Sequence, residues 1–102
     1  MLNNMKQLFA QAKKMQADME QVQKDLDLQE VVGEAASGAV TISMSANGTV
    51  KSVHFDPKIL NPEEHELVED LFMAAYNDAK RRADEIAEKA MKQATGGLKL
   101  PF

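Results

Sequence analysis

The 102-residue chain is predicted to be an α+β protein of element order α-βββ-α, and three features of the sequence predict it. Apolar residues recur at alternating steps of four and three over residues 1–26, which is a helical period. The period changes to two over residues 31–55, around the turn-forming pair Asn47-Gly48. A second helical stretch without breakers follows Pro62. We therefore expect a long helix, a three-stranded antiparallel meander, a short turn and a second long helix.

The first helix is predicted from an apolar seam with the a/d spacing of a coiled coil. No glycine or proline occurs before Gly33, so the seam predicts one helix of about 25 residues, about 40 Å long. The seam is narrow and rich in methionine, which suits one partner helix better than burial on all sides. The members of this apolar seam are Met1, Met5, Leu8, Ala12, Met15, Met19, Val22 and Leu26.

The meander is predicted from two turns that agree on one buried face. Asn47-Gly48 predicts a type I′ hairpin turn, which requires positive φ at both central residues. Ser37-Gly38 predicts a second two-residue turn. The first turn pairs Met44 with Lys51, Ile42 with Val53 and Val40 with Phe55; the second pairs Ala35 with Val40, Gly33 with Ile42 and Val31 with Met44. Both registers place the same apolar residues on one side of the sheet.

The second helix is predicted to begin after two proline turns. Asp56-Pro57 has the pattern of an N-cap followed by proline and opens a single turn. Asn61-Pro62 repeats that pattern, with a capping-box glutamate behind it. The helix then runs about 34 residues, roughly 50 Å, to a stop at Gly96-Gly97. Its predicted inner stripe is Leu67, Val68, Leu71, Phe72, Ala75, Ala79, Ala83, Ile86 and Ala90.

The two helices are too long for a compact monomer. A globular chain of this size has a radius of gyration of about 13 Å, so a helix of about 50 Å must project beyond it. Projecting apolar seams need a partner, and a second copy supplies one. We expect one domain over residues 1–95, a flexible tail over 96–102, and an elongated homodimer.

Composition excludes several kinds of chemistry. The chain has no cysteine, which excludes disulfides, thiol catalysis and cysteine-based metal sites. His54 and His65 are the only histidines, and neither belongs to a recognisable catalytic or metal-binding spacing. No stretch is apolar enough for a signal peptide or membrane span. We expect a cytoplasmic protein that is not an enzyme, with no cofactor, no metal, no small-molecule substrate and no membrane partner.

Charge is distributed unevenly along the chain. The net charge is −4 and the pI is about 5.1, which argues mildly against binding to nucleic acid. Residues 1–17 and 89–102, however, each contain three lysines and no acid. All 16 acidic residues lie between these basic ends. The overall charge therefore conceals two basic segments.

Lysines of the first helix form one candidate polyanion site. Lys6, Lys13 and Lys24 project from one stripe opposite the apolar seam, with Lys14 beside them, and the first acid is Asp18. Such an unpaired stripe could lie along a phosphate backbone. A solvated helix face remains an equal alternative.

The second helix carries more cations, but they alternate with acids. Arg81, Arg82, Lys89 and Lys92 fall on one flank, beside Lys80. Asp78, Glu85 and Glu88 precede Arg82, Lys89 and Lys92 by four residues, an order that stabilises a helix by about 0.2–0.5 kcal/mol per pair. This spacing favours a solvent-facing, ion-paired surface over a polyanion site.

Several segments, in this order and at this length, resemble the YbaB/EbfC family of small bacterial nucleoid-associated proteins. They are MKQLFAQAKKMQADMEQVQKDL, GAVTISMSANGTVKSVHFDPKIL, VEDLFMAAYNDAKRRADE and the ending LKLPF. Many members have a glycine-rich lead-in before the first helix and a longer proline- and glycine-rich tail, and in this sequence both are short or missing.

The resemblance implies a tweezer-like homodimer that binds duplex DNA with little or loose sequence preference, in the nucleoid. It attributes DNA contact to both long helices, here to Lys6, Lys13, Lys14, Lys24, Lys80, Arg81, Arg82, Lys89 and Lys92. It also implies a structural role for Asn77-Asp78, near the sheet or the dimer contact. The alternative is a coiled-coil-like scaffold or chaperone module whose apolar seams bind protein. Salt separates the two, because it weakens polyanion binding far more than apolar association.

Overall fold

The predicted α-βββ-α order is confirmed by a computed structural model, which describes residues 2–94 and the side chains of residues 4–94. The strands form one antiparallel sheet in the order β1-β2-β3. The elements are α1 (Leu2–Leu28), β1 (Glu30–Ala35), β2 (Val40–Ser45), β3 (Val50–Phe55), two 3₁₀ turns (Pro57–Ile59 and Pro62–Glu64) and α2 (His65–Ala94). The predicted Gly96-Gly97 stop and the tail 96–102 lie outside the described residues.

The molecule is elongated, as predicted. Its extents are 71 × 23 × 18 Å and its radius of gyration is 19.6 Å, against about 13 Å for a compact chain of this length. The length arises because α1 projects from the body: every described side chain from Asn4 to Asp18 is exposed. Only the C-terminal third of the apolar seam is covered within the described part of the chain.

The covered end of α1 packs antiparallel against the end of α2. Val22 and Leu26 line a shallow cavity together with Ala90 and Ala94, and Leu26 is fully buried. The N–H of Ala46 donates to the carbonyl oxygens of Leu26 (3.1 Å) and Gln29 (2.9 Å). These bonds supply a donor to carbonyls in and just after the last turn of α1, and they fix α1 to the turn between β2 and β3.

The core lies between α2 and one face of the sheet. Ala75, Ala79 and Ala83 are fully buried against β1 and β2, as the predicted stripe requires. Gly33 makes this close contact possible, because a Cβ at that position would lie 2.3 Å from the backbone nitrogen of Ala79. Leu67 and Phe72, at the start of the predicted stripe, are instead exposed at 48% and 37%.

The sheet register is as predicted except beside the Asn47-Gly48 turn. Met44 pairs with Val50 and not with Lys51, because a bulge follows Ser43. The turn is also not type I′: Gly48 has positive φ and Asn47 does not. Gly48 N–H donates to the Ser45 carbonyl, which makes a three-residue loop closed by a glycine bulge.

The hairpin turn with type I′ φ angles lies instead between β1 and β2. Ser37 and Gly38 have φ values of 56° and 92°, the pair of positive angles that a type I′ turn requires. Ala36 also has positive φ, at 53°. The register from Ala35 paired with Val40 to Val31 paired with Met44 is as predicted.

The start of α2 differs from the prediction by one turn. Asp56 and Asn61 act as N-caps, accepting hydrogen bonds from the N–H groups of Lys58 and Glu63, both at 3.0 Å. The predicted capping box does not form, because the N–H of Asn61 donates to the carbonyl of Ile59. The residues after Asn61 make a 3₁₀ turn, and the α-helix begins at His65.

Candidate nucleic-acid interface

The lysines of α1 lie on its projecting part and its outer face. Lys6, Lys13, Lys14 and Lys24 are all exposed, and no ion pair within residues 4–94 involves any of them. Val22 and Leu26 face the body, and helical periodicity places Lys24 on the opposite side. The stripe from Lys6 to Lys24 is about 27 Å long at the α-helical rise.

The electrostatics of the α1 N-terminal half favour an anion. Its first turn contains no acid, and the described residues before Asp18 carry three lysines and no carboxylate. The positive end of the helix dipole lies at the same end of α1. The charge of these lysines is therefore not compensated within the described part of α1 before Asp18.

The arginines of α2 share one carboxylate. Arg81 Nη2 lies 2.6 Å from Asp78 Oδ1, and Arg82 Nε lies 3.3 Å from Asp78 Oδ2. The guanidinium side chains remain 67% and 52% exposed, whereas Asp78 is only 15% exposed. The three charges together amount to +1.

Asp78 also joins α2 to the sheet. Its Oδ2 accepts a 3.0 Å hydrogen bond from the backbone N–H of Glu34, which lies on the edge strand β1. This bond, followed by the hydrogen bond and charge of Arg82 and the charge of Arg81, holds the pKa of Asp78 below its usual value. The expected structural role of Asp78 near the sheet is confirmed by this contact.

The remaining cations of α2 have different surroundings. Lys80 Nζ lies 2.6 Å from Asp84, whose hydrogen bond raises the pKa of Lys80. Lys92 Nζ lies 3.6 Å from Glu88, as the four-residue spacing predicted. The equivalent pairing of Lys89 with Glu85 is not formed in the described structure.

The structure therefore spreads the candidate cations along the long axis of the molecule, with the ends of the two sets far apart. Because the helices run antiparallel with Val22 beside Ala94, the rise per residue places Lys6 about 24 Å to one side of that contact. Lys80 lies about 21 Å to the other side. The α1 lysines form no ion pair among the described residues, and three of them, Lys6, Lys13 and Lys14, lie on the projecting part of α1. The α2 cations are largely ion-paired.

Other kinds of site find little support in the described chain. Residues 2–94 contain no group of three or more histidine and acidic side chains that could hold a metal ion. None of the helices described is both long and apolar enough to cross a membrane. His65 Nδ1 lies 3.2 Å from the carbonyl of Pro62, and His54 stands opposite Thr41 on the exposed strand β3.

Two features that shape this surface were not singled out as functional from the sequence. Gly33 sets how closely α2 approaches β1, and its signal was a lone glycine inside a strand, which often marks a close backbone approach. Lys51 lies 3.6 Å from Asp27, linking β3 to the end of α1. No sequence spacing indicates that pair, because the two residues lie in different elements.

Comparison with known proteins gives a consistent family and fold. A model of the YbaB/EbfC DNA-binding family matches residues 1–98. A nucleoid-associated protein of Rhodospirillum rubrum is 40% identical over 100 residues, covering 98% of this chain and 94% of that protein. Another, of Beijerinckia indica, is 42% identical over 101 residues, covering 99% and 100%. The crystal structure of an uncharacterized Helicobacter pylori protein has the same fold, with a TM-score of 0.80 at 20% identity over 89% of this chain and 96% of that chain.

Proposed function

The chain belongs to the YbaB/EbfC DNA-binding family, and we propose that it binds duplex DNA as a homodimer, chiefly through the lysines of α1. The DNA-binding family and the relatives named as nucleoid-associated support DNA as the partner and the bacterial nucleoid, in the cytoplasm, as the place of action. Organisation of the nucleoid and an influence on gene expression follow from such binding. No catalytic step is part of this function.

The observation that carries the proposal is the contrast between the two helices. The four α1 lysines have no acidic partner among the described residues, whereas four of the five α2 cations do. Binding to phosphate releases counterions from the DNA only to the extent that the protein cation neutralises phosphate charge. A lysine without a partner supplies its full charge, and a cation already paired supplies less. We therefore assign Lys6, Lys13, Lys14 and Lys24 the main contacts.

The α2 cations are assigned a secondary role. We propose that a duplex extending along the long axis of the molecule also contacts some of the α2 cations, which are Lys80, Arg81, Arg82, Lys89 and Lys92. Sequence readout is expected to be weak, because lysine contacts phosphate as a point charge and the two arginines of the chain are engaged by Asp78. We propose little or loose sequence preference for this reason.

The homodimer is proposed from an uncovered part of the sheet. α2 packs mainly on β1 and β2, so apolar side chains on β3 remain open beside it. The ring centroids of Phe55 and Phe72 lie 6.3 Å apart, those of Phe72 and Tyr76 lie 6.5 Å apart, and Val53 is 40% exposed. We call these four residues the β3 patch.

A second copy is the occupant that fits the β3 patch best. β3 is an edge strand that pairs only with β2 in the described structure, so its outer N–H and C=O groups are available for pairing. A two-fold axis beside β3 brings the same strand and the same aromatic residues together from both protomers, and an isologous contact needs no second kind of surface. This arrangement leaves the projecting part of each α1 outside the contact, as two arms.

One observation favours a second function, that of a protein-binding scaffold. Met5, Leu8, Phe9 and Met15 are exposed at 55%, 64%, 66% and 44%, and they form an apolar stripe on the arm. Exposed stripes of this kind commonly bind protein. In that function the lysines keep the arm in solution and the apolar stripe holds the partner.

Fluorescence anisotropy separates these functions. The protein is titrated into two labelled duplexes of unrelated sequence at about 50 and 200 mM salt, with its dimeric state established by light scattering. DNA binding predicts similar affinity for both duplexes and a loss of about tenfold or more at the higher salt. Absence of binding at low salt by a protein shown to be dimeric would contradict the proposal and favour the scaffold.

The assignment of residues has its own test within this assay. Charge reversal in Lys6→Glu/Lys13→Glu is expected to abolish most binding at about 200 mM salt. Lys58→Glu is the control, because Lys58 is exposed in the turn after β3 and forms no ion pair within residues 4–94. It is compared with the single variant Lys13→Glu, which changes the charge by the same amount, and is expected to bind nearly as well as the wild type. Equal losses in Lys13→Glu and Lys58→Glu would show an effect of overall charge alone.

A further inference from the structure

We propose that Asp78 competes with DNA phosphate for Arg81 and Arg82, and thereby limits the contribution of α2 to DNA binding. The proposal rests on the proposed function and assigns a positioning residue to it. Asp78 touches both arginines and has no place in the α1 surface. It would act on DNA only through the two guanidinium groups.

Both oxygens of the Asp78 carboxylate accept hydrogen bonds. Oδ1 accepts from Arg81 Nη2 at 2.6 Å, and Oδ2 accepts from both Arg82 Nε at 3.3 Å and the Glu34 N–H at 3.0 Å. Charge-assisted hydrogen bonds of this kind are roughly twice as strong as neutral ones. If a phosphate oxygen takes over the hydrogen bond of Arg81 or Arg82, an oxygen of the Asp78 carboxylate loses a hydrogen-bond donor.

The carboxylate also cannot easily move away. Asp78 precedes Ala79, whose backbone nitrogen lies against Gly33 with no room for a Cβ between them. The bond to Glu34 holds the side chain against the edge of β1, and only 15% of it is exposed. Asp78 is thus fixed by the helix–sheet contact, independently of the two arginines.

The arginines themselves are half to two-thirds exposed and face solvent with their remaining donors. A phosphate that approaches these donors also approaches the fixed negative charge of Asp78. The repulsion offsets part of the attraction, and a guanidinium already neutralised by a carboxylate displaces fewer DNA counterions. Both effects make binding by α2 weaker and less dependent on salt.

The pair formed by Lys80 and Asp84 offers a built-in comparison. It joins an aspartate to one cation on the same helix, but Asp84 is 59% exposed and has no described contact with the sheet. An exposed ion pair of this kind opens at little expense in free energy. Removal of the Asp84 charge is therefore expected to change DNA binding less than removal of the Asp78 charge.

The test measures the slope of log K against log salt for Asp78→Asn and Asp84→Asn. Asparagine retains an oxygen that can accept from Glu34 and removes the charge that holds the arginines. Release of both arginines steepens the slope by up to about 1.8 per protomer, at about 0.9 for each phosphate contact. Asp84→Asn steepens it by no more than about 0.9. In the background Arg81→Gln/Arg82→Gln, Asp78→Asn is expected to have no effect on the slope.

Each other outcome contradicts the proposal in a recognisable way. An unchanged slope in Asp78→Asn, a change equal to that of Asp84→Asn, or a change that persists without the arginines overturns the role of Asp78 and leaves the proposed function intact. Failure of the wild type to bind DNA overturns both. If Asp78→Asn does not fold, Arg81→Gln/Arg82→Gln is compared with the wild type instead. A slope shallower by about 1.8 would show that both arginines contact phosphate even in the presence of Asp78, which contradicts the proposal.

Discussion

Gly33→Ala is the substitution that tests most sharply how the fold positions α2 and its cations. The added Cβ would lie 2.3 Å from the nitrogen of Ala79 and 2.4 Å from the oxygen of Ala75. Ordinary contact begins at 3.4 Å, so α2 must retreat by about 1 Å. Because these are backbone atoms, the clash cannot be relieved by rotation of a side chain.

The expected loss of stability follows from this displacement. Overpacking of a core costs about 1–3 kcal/mol, and the upper part of that range applies where backbone must move. Replacement of glycine by alanine would recover about 0.4–1 kcal/mol of unfolded-chain entropy at an unstrained position. The net loss is about 2 kcal/mol, which lowers Tm by about 10 °C in a domain of this size.

Urea and thermal unfolding of Gly33→Ala at one fixed protein concentration measure this loss. Val32→Ala is the matched control, because Val32 immediately precedes Gly33 on β1, faces away from α2 and is 52% exposed. The control is expected to stay within about 1 kcal/mol of the wild type. Equal stability of the two variants would refute the claim that α2 rests directly on the backbone of Gly33.

Three further predictions concern the dimer, the acid response and the turn. Val53→Lys is expected to yield monomers by light scattering, whereas Val32→Lys, on the other face of the sheet, stays dimeric; a dimeric Val53→Lys would contradict the assignment of the β3 patch. Because the folded-state pKa of Asp78 lies below its unfolded value, its contribution to stability is present above about pH 4 and is lost as pH falls through the folded pKa. Urea unfolding should therefore show Asp78→Asn less stable than wild type at pH 7, with the difference shrinking as pH falls below about 4, and a difference that does not change with pH would count against it. Gly48→Ala is expected to lose about 1–2 kcal/mol at φ 96°, and Gly48→Asn less; equal stability of all three proteins would refute the turn assignment.

Most of the fold could be predicted because its signals are local. The change of hydrophobic period located the helices and the sheet, and the turn at Ser37-Gly38 set the register of β1 on β2. Asn47-Gly48 located a hairpin correctly but not its turn type. There the bulge after Ser43 takes up one residue of β3, and one glycine with positive φ then suffices to close the loop.

The candidate surface could be predicted only in part, because its decisive contacts are long-range. The four-residue spacing indicated the pairs of Asp78 with Arg82 and Glu88 with Lys92, and both form. It could not indicate that Asp78 also binds β1, a contact that spans 44 residues of sequence. Because of that contact, the Asp78 carboxylate is held in place, unlike the carboxylate of an ordinary surface ion pair. Whether the candidate lysines and arginines touch DNA stays a prediction.

The measurement that tests the central claim most directly is the salt dependence of DNA binding in Lys6→Gln/Lys13→Gln, with Lys58→Gln as the control. Loss of two phosphate contacts makes the slope of log K against log salt shallower by about 1.8 per protomer that contacts the duplex. The control is expected to keep the slope of the wild type. A double variant with an unchanged slope would contradict the claim that the lysines of α1 are the main DNA contacts.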